Sequence, residues 1–492
     1  MKSVLRSFLR CKSIEVLQQE LTGEGTDKVK LHRALGPTNL VLFGIGVIIG
    51  AGIFSVTGSA AGSYAGPAIV LSFVIAGIGC ALAGLCYSEF ASMVPAAGSA
   101  YTYSYLTLGE FFAWIIGWDL VLEYAVGAAT VASAWSVYLI KFLGHIGIAF
   151  PAQLAASPFT LLTLQDGSKV HGLINLPAIF IVVLMSGLLI KGIRESAVFN
   201  AIMVAVKVTV VVAFIAVGWS FINPSNHVPF IPPNEGQFGH FGWSGVLRGA
   251  AIVFFAYIGF DAVSTAAQEA RNPRRDMPIG ILVSLLVCTV LYCLFSYVLT
   301  GMVSYKQFIG LEGLAPVTVA IEQTPYKVFT LLVEVAILAG FSSVIMILLL
   351  GQSRVFYSMS RDGLLPGLFS DIHPRFRTPW KSNILFALFV SVFAGFVPGD
   401  VVGHMCSIGT LLAFVMVCLA VIVLRVTKPD APRQFRVPWV PVVPILGALM
   451  CLAMMLALPM DTWIRLAVWL VLGLVIYFFY GRKRSKLHRA AQ

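Results

Sequence analysis

Gly44-Ile45-Gly46-Val47-Ile48-Ile49-Gly50-Ala51-Gly52-Ile53-Phe54 places four glycines in nine residues, midway along an apolar run covering 38–62. Glycine weakens a helix, and a bilayer core has no water to satisfy the backbone groups that a break sets free. Gly46 and Gly50 alone would fit close helix packing of the small-xxx-small kind. With Gly44 and Gly52 added, the pattern predicts an unwound segment. A second break is predicted in Phe254-Phe255-Ala256-Tyr257-Ile258-Gly259-Phe260-Asp261, where a carboxylate follows the glycine at membrane depth. Asp261 either caps the following half-helix by accepting its free N–H groups or contacts a ligand.

The surroundings of these two stretches establish the class. Of 492 residues, 58% are hydrophobic and 11% charged, against about 25% charged in a soluble domain. Mean hydropathy is +0.90. Soluble, disordered and fibrous classes are excluded on these figures. A bilayer-spanning helix needs about 20 mainly apolar residues. Twelve runs qualify: 38–62, 67–94, 111–142, 174–191, 197–219, 244–266, 278–303, 327–353, 382–397, 401–425, 439–458 and 462–481. The expected fold is an all-α polytopic membrane protein. With a cytoplasmic amino terminus, 26 of the 33 Lys and Arg residues fall inside and 5 outside, so both termini are expected in the cytoplasm.

Runs 1–5 (38–219) and 6–10 (244–426) have nearly equal length, and each begins with one of the glycine breaks. Five is odd, so the second set must enter the membrane from the opposite face, which is the arithmetic of an inverted repeat. The remaining divisions are an amino-terminal arm (1–37), a final pair of spans (439–481) and a tail (482–492). The arm mixes Arg6, Arg10, Lys12 and Glu15 with its apolar residues, which argues against a signal peptide and for a cytoplasmic, partly amphipathic segment.

Eight scattered cysteines, with no CxxC pair, argue against a zinc site or a disulfide framework. The net charge of +11 sits at the ends of spans, where topology explains it without nucleic acid. No phosphate-binding GxxxxGK[ST] loop, HExxH or GxSxG occurs, and no repeated filter or charged ring marks a channel. No cofactor or metal is expected, and no enzyme activity. Two half-helix breaks meeting at the midplane would offer N–H groups and a positive dipole end to a carboxylate, and free carbonyls to an ammonium group or cation. An α-amino acid carries both charges on one carbon.

At these residues the chain resembles the amino acid–polyamine–organocation superfamily, and within it the bacterial relatives of cationic amino acid transporters. GIGVIIGAGIF (44–54), FFAYIGFDAVSTAAQEARNPRRDMPIGI (254–281), GQSRVFYSMSRDGLLP (351–366) and FRVPWVPVVPILG (435–447) carry the resemblance, in that order. It implies a leucine-transporter-type fold of two inverted five-helix repeats plus two extra helices. It implies further that amides near Ile48, Gly50, Ala51 and Gly52 hold the substrate carboxylate. Carbonyls near Phe255, Ala256 and Ile258 would hold the amino group, with the Phe255 ring as gate. Many relatives carry Ser or Thr where this chain has Ala51, and paired acids where it has Gln268-Glu269.

Lys207, ten residues into the fifth run, is too central to snorkel to either interface. A lysine there suits reversible protonation. The resemblance implies that it replaces the cation of sodium-coupled members, with the Gly46 carbonyl and Ser342 or Ser343 as partners. The alternative is a salt bridge to Glu123 or another buried acid. Glu123, four residues after Asp119 on one helix face, could select a basic side chain, relay protons or pair with Lys207. Glu89 and Glu334 read as structural. The expected function is a secondary carrier importing an α-amino acid by alternating access with protons, in the cell membrane. The cationic preference rests on the resemblance alone, and breadth of specificity stays open. An exchanger without net proton movement and a transporter-like nutrient sensor are the alternatives. Substrate, protons and lipids are the expected partners, with room for a small accessory subunit.

Overall fold

A computed structural model describes residues 10–13, 35–94, 98–163, 169–191, 196–265, 270–309, 315–376 and 378–489. Most of the arm, Gln268-Glu269 and the last three tail residues lie outside them. The described chain is overwhelmingly helical, with one short hairpin pairing Leu161–Thr163 (β1) and Lys169–His171 (β2).

Eight helical stretches are long and apolar enough to cross a membrane: Pro37–Met93, Glu110–His145, Ile202–Trp219, Gly242–Ser264, Pro273–Met302, Lys327–Arg361, Gly399–Thr427 and Met460–Arg484. Leu176–Lys191, Trp380–Phe396 and Val442–Ala457 are apolar but shorter. Pro37–Met93 divides at Gly66, whose φ of +60° turns the chain between the runs 38–62 and 67–94. Leu286, Leu388, Leu456, Val468 and Phe479 are among many large apolar side chains left exposed on outward faces. That much exposed apolar surface requires lipid. The chain is a multi-pass membrane protein.

The helices used below are α1 (Pro37–Ile48), α2 (Ile69–Met93), α3 (Ser99–Thr107), α4 (Glu110–Val121), α5 (Gly127–His145), α6 (Leu176–Lys191), α7 (Ser196–Trp219), α8 (Gly242–Val253), α9 (Ala262–Thr265), α10 (Pro273–Met302), α11 (Pro316–Glu322), α12 (Lys327–Arg361), α13 (Trp380–Phe396), α14 (Gly399–Thr427), α15 (Val442–Ala457) and α16 (Met460–Ile476). Their packing is cross-wise between the two halves of the chain. Helix α1 packs on α10 and α8 on α2, while α2 packs on α10, α5 on α12 and α6 on α13. Helix α7 packs on α12, and α14 on α5.

The two ends of the described chain meet at one side of this bundle. The Lys12 ammonium pairs with Asp362 at 2.8 Å, and the Tyr101 hydroxyl donates to the same carboxylate at 2.7 Å. The Lys486 amide donates to the Asp362 carbonyl, the Glu110 amide to the Arg10 carbonyl, and the Ser485 hydroxyl to the Glu110 carboxylate.

Candidate functional site

Both glycine-rich stretches interrupt their helices. Helix α1 stops at Ile48, and Ile49 is extended (φ −72°, ψ 104°) before the chain rewinds as a wide turn over Gly52–Val56. Helix α8 tightens into a 3₁₀ turn at Phe254–Tyr257, and Ile258 leaves helical geometry with ψ 137°. Gly259 then takes φ +103°, which glycine tolerates and a β-carbon does not. The two breaks lie against each other. A Cβ on Gly52 would run into the backbone of Ala256, and one on Gly259 into Val47. Gly52→Ala is therefore expected to force the breaks apart, abolishing uptake and destabilising the fold by about 1–3 kcal/mol. Transport assays and the melting temperature of the purified protein check this.

Two of the three carbonyls expected to hold an amino group, those of Phe255 and Ala256, already have partners. The Tyr292 hydroxyl lies 2.7 Å from the Ile48 carbonyl oxygen and 2.9 Å from that of Ala256, tying the two breaks together. The Phe255 carbonyl accepts the Ile258 N–H at 3.3 Å. Phe255 is the one expected site residue that lines a cavity beside the breaks. It floors this space, of about 320 Å³, together with Ile252, Ser55 and Val56. Thr130, Ser133 and Val137 of α5 and Asp400, His404 and Ser407 of α14 form its walls, with Pro316 of α11 at the rim. Ile48, Gly50, Ala51, Gly52, Ala256 and Ile258 lie behind Phe255, outside the lining. The cavity's α5 residues lie 20 or more positions along α4–α5 from Glu110, which opens α4.

Lys207 is buried at 1% exposure, and its ammonium donates to the Gly46 carbonyl at 2.7 Å, in the last turn of α1. Its stem lies against Gly340 of α12. Ser342 and Ser343 donate instead to Leu338 and Gly340 of their own helix, as hydroxyls in helices commonly do. The two serines do not join the Lys207 site. No described carboxylate comes within 4.0 Å of the Lys207 ammonium, so the alternative of a salt bridge to Glu123 fails among the described residues.

Glu123 sits in a π-helical turn, Leu122–Val126, between α4 and α5, a distortion that often marks functional positions. Its carboxyl is fully buried near those of Asp261 and Asp119, and neither oxygen has a hydrogen-bond partner among the described residues. It does not line the cavity. One Asp261 carboxyl oxygen accepts from the hydroxyls of Tyr124 and Ser99, and its backbone carbonyl accepts from the Ser264 N–H of α9 at 2.8 Å. Glu89 pairs with Arg425 and Arg433. Glu334 pairs with His145 at 3.0 Å and accepts from Thr318.

The amino acid permease family matches residues 35–479 of this sequence. The chain belongs to that family. Among its relatives, the branched-chain amino acid permease BcaP of Bacillus subtilis (strain 168) is 44% identical, covering 98% of this chain and 99% of its own. The methylthioribose transporter of the same organism is 42% identical, covering 99% of this chain and all of its own. The vacuolar cationic amino acid transporter 2 of Arabidopsis thaliana is 38% identical over 87% of this chain and 64% of its own length. The permease is thus a transporter of the amino acid–polyamine–organocation superfamily, and not an enzyme.

Sequence reasoning missed the permease's tyrosines. Tyr292, Tyr124 and Tyr138 all bond to the breaks or to Asp261, with Tyr138 donating to the Phe54 carbonyl at 2.6 Å. A tyrosine within an apolar run is an ordinary core residue by pattern, and its hydroxyl partner becomes visible only in three dimensions. His404 and Asp400 were missed because α14 carries no break or buried lysine to draw attention to them.

Proposed function

We propose that the permease is a secondary carrier that moves α-amino acids with uncharged side chains across the cell membrane by alternating access, coupled to protons through Lys207. The cavity wall carries the substrate class. Around Phe255 it is built from hydroxyls, alanine, valine and isoleucine, with Asp400 and His404 of α14 as its ionisable groups, while the acid expected to select a basic side chain, Glu123, lies beside Asp261 outside the lining. Glu123 is thus not placed to select a basic side chain, and in this reading Asp400 serves the α-ammonium group. Full-length similarity to a branched-chain amino acid permease supports the same reading. A second reading, an uncharged thioether sugar, is favoured by the equally long match to a methylthioribose transporter.

The coupling proposal rests on the bond from Lys207 to the Gly46 carbonyl. A lysine that gives up its proton exchanges a charge-assisted bond to α1 for a weaker neutral one, which links protonation to the position of the first break. The facing carboxyls of Glu123 and Asp261 are a second place where a proton can be held. For the architecture, we propose twelve spans with 38–219 and 244–426 as inverted repeats. The supporting observation is the exchange of partners: α1 on α10 is matched by α8 on α2, and α7 on α12 by α14 on α5. Both termini lie in the cytoplasm by charge count, which makes the cavity outward-facing.

The test is uptake of labelled leucine, arginine and methylthioribose into proteoliposomes, with and without an inward proton gradient. The expected result is leucine accumulation that an uncoupler collapses, with arginine at least about tenfold less effective as a competitor, one charged-group desolvation being enough for that factor. Preferred arginine uptake overturns the substrate class. Uptake that needs internal amino acid and ignores the gradient makes the permease an exchanger. No uptake of any of the three leaves the sensor reading.

A further inference from the structure

The outer part of the cavity is built around one helix face. Asp400 opens α14, and His404 and Ser407 follow at one-turn intervals on the same side, all lining the cavity. Glycines on the neighbouring face make this arrangement possible. A Cβ on Gly399 would lie 3.2 Å from Ser133, and one on Gly403 3.5 Å from Thr130. The close approach of α14 to α5 directs 400, 404 and 407 toward the open space. It also leaves the Ser133 hydroxyl buried in the wall with no hydrogen-bond partner.

Neither ionisable side chain is used by the fold. Asp400 and His404 form no hydrogen bond or ion pair among the described residues, with each other or with anything else, although side chains one turn apart on a helix are neighbours. Arg465 and Arg248 are the other charged groups near His404. Arg248 is already committed, donating to the Ala457 carbonyl at 3.0 Å and lying against the Tyr64 and Phe238 rings. The break residues Ile48, Gly50, Ala51, Gly52, Ala256 and Ile258 do not line the cavity, and Asp400 is exposed while Phe255 is only 7% exposed. A solute entering from this side therefore meets Asp400 and His404 first, in a space at the lower end of what small ligands occupy, about 300–1,000 Å³.

We propose that this outer cavity is a capture site distinct from the breaks, in which Asp400 takes the α-ammonium group of an amino acid and His404 donates to its α-carboxylate. The substrate side chain then lies on Val137, Ile252 and Phe255, and the orphaned Ser133 hydroxyl gains a partner. This assignment rests on the amino-acid reading above. It explains how a cavity with apolar walls can require an amino acid: recognition of the two backbone charges sits at the mouth, and the walls read only the side chain. Charge-assisted hydrogen bonds are the strong ones, and each should be worth about tenfold in apparent affinity.

The test uses the full-length permease in proteoliposomes with labelled leucine. Asp400→Asn is expected to raise the KM about tenfold while Vmax stays within about twofold, because the lost contact precedes translocation. The same variant should lose preference for leucine over 4-methylpentanoate, which lacks the amine. His404→Leu should raise the KM and lose preference for leucine over leucinol, which lacks the carboxylate. His404→Gln, which retains an N–H donor, should recover most of the loss. Unchanged KM and unchanged analogue preferences in both variants would overturn the proposal, as would a fall in Vmax at constant KM. A wild-type protein that takes up methylthioribose and no amino acid would instead sink the amino-acid reading itself.

Discussion

Lys207→Ala is expected to abolish the pH dependence of uptake and reduce accumulation to the equilibrium level, while counterflow of substrate between the two faces survives. The ammonium is the one described charge that touches the first break, through its 2.7 Å bond to the Gly46 carbonyl. With no described carboxylate beside it, a charge at membrane depth costs about 3 kcal/mol, and a fold keeps such a group for function. The alanine variant also orphans the Gly46 carbonyl, at about 1–3 kcal/mol. It removes the stem that packs on Gly340 as well. Lys207→Met restores the stem without the amine and separates the two effects. Lost coupling with a restored melting temperature in Lys207→Met is the expected outcome. Unchanged pH dependence there would end the role of Lys207 and move attention to the Glu123–Asp261 pair, where Glu123→Gln would then be the variant that loses coupling.

Glu89→Ala should be the most destabilising single change outside the transport path. Glu89 is fully buried at the end of α2 and binds both Arg425 nitrogens, at 2.9 and 2.8 Å. It also pairs with Arg433 at 3.2 Å and accepts from the Val437 amide at 2.8 Å. Arg433 in turn donates to carbonyls of Leu424, Pro429 and Ala431, so the segment after α14 is wound around this one carboxylate. Removing one partner of a buried ion cluster leaves uncompensated charge and costs about 3–5 kcal/mol. The measurement is the melting temperature by size-exclusion chromatography after heating. Glu89→Gln with Arg425→Gln should recover part of the loss, since it removes charge from both sides. A melting temperature equal to that of the wild type in Glu89→Ala would show that the arginines reach water or lipid headgroups.

Much of the candidate site was legible in the sequence, for reasons that can be named. Gly50 and Gly259 mark helix breaks because glycine is weak in helices and tolerates positive φ, and both breaks are where the string of glycines and the Gly259-Phe260-Asp261 step placed them. Lys207 stood out because a lone charge amid apolar residues has few innocent explanations, while the Gly46 carbonyl was named as its partner by the family resemblance and accepts its bond. Ser342 and Ser343 failed as partners because a helical hydroxyl has a carbonyl of its own turn within reach, and residue identity does not say which acceptor wins. Glu123 was read as a candidate for the pocket, but the π turn at Leu122–Val126 aims it at Asp261.

The sequence by itself determined that this chain spans a membrane many times, that two of its helices break, and that one lysine is buried, because each follows from composition and local pattern. Only the tertiary structure decided which break carbonyls Tyr292 occupies, where the cavity ends, and that Asp400, His404 and Ser133 share it. Those facts depend on contacts between residues separated by up to several hundred positions, set by how closely α14 packs on α5 and the two breaks on each other, and no periodicity along one helix encodes the distance to another.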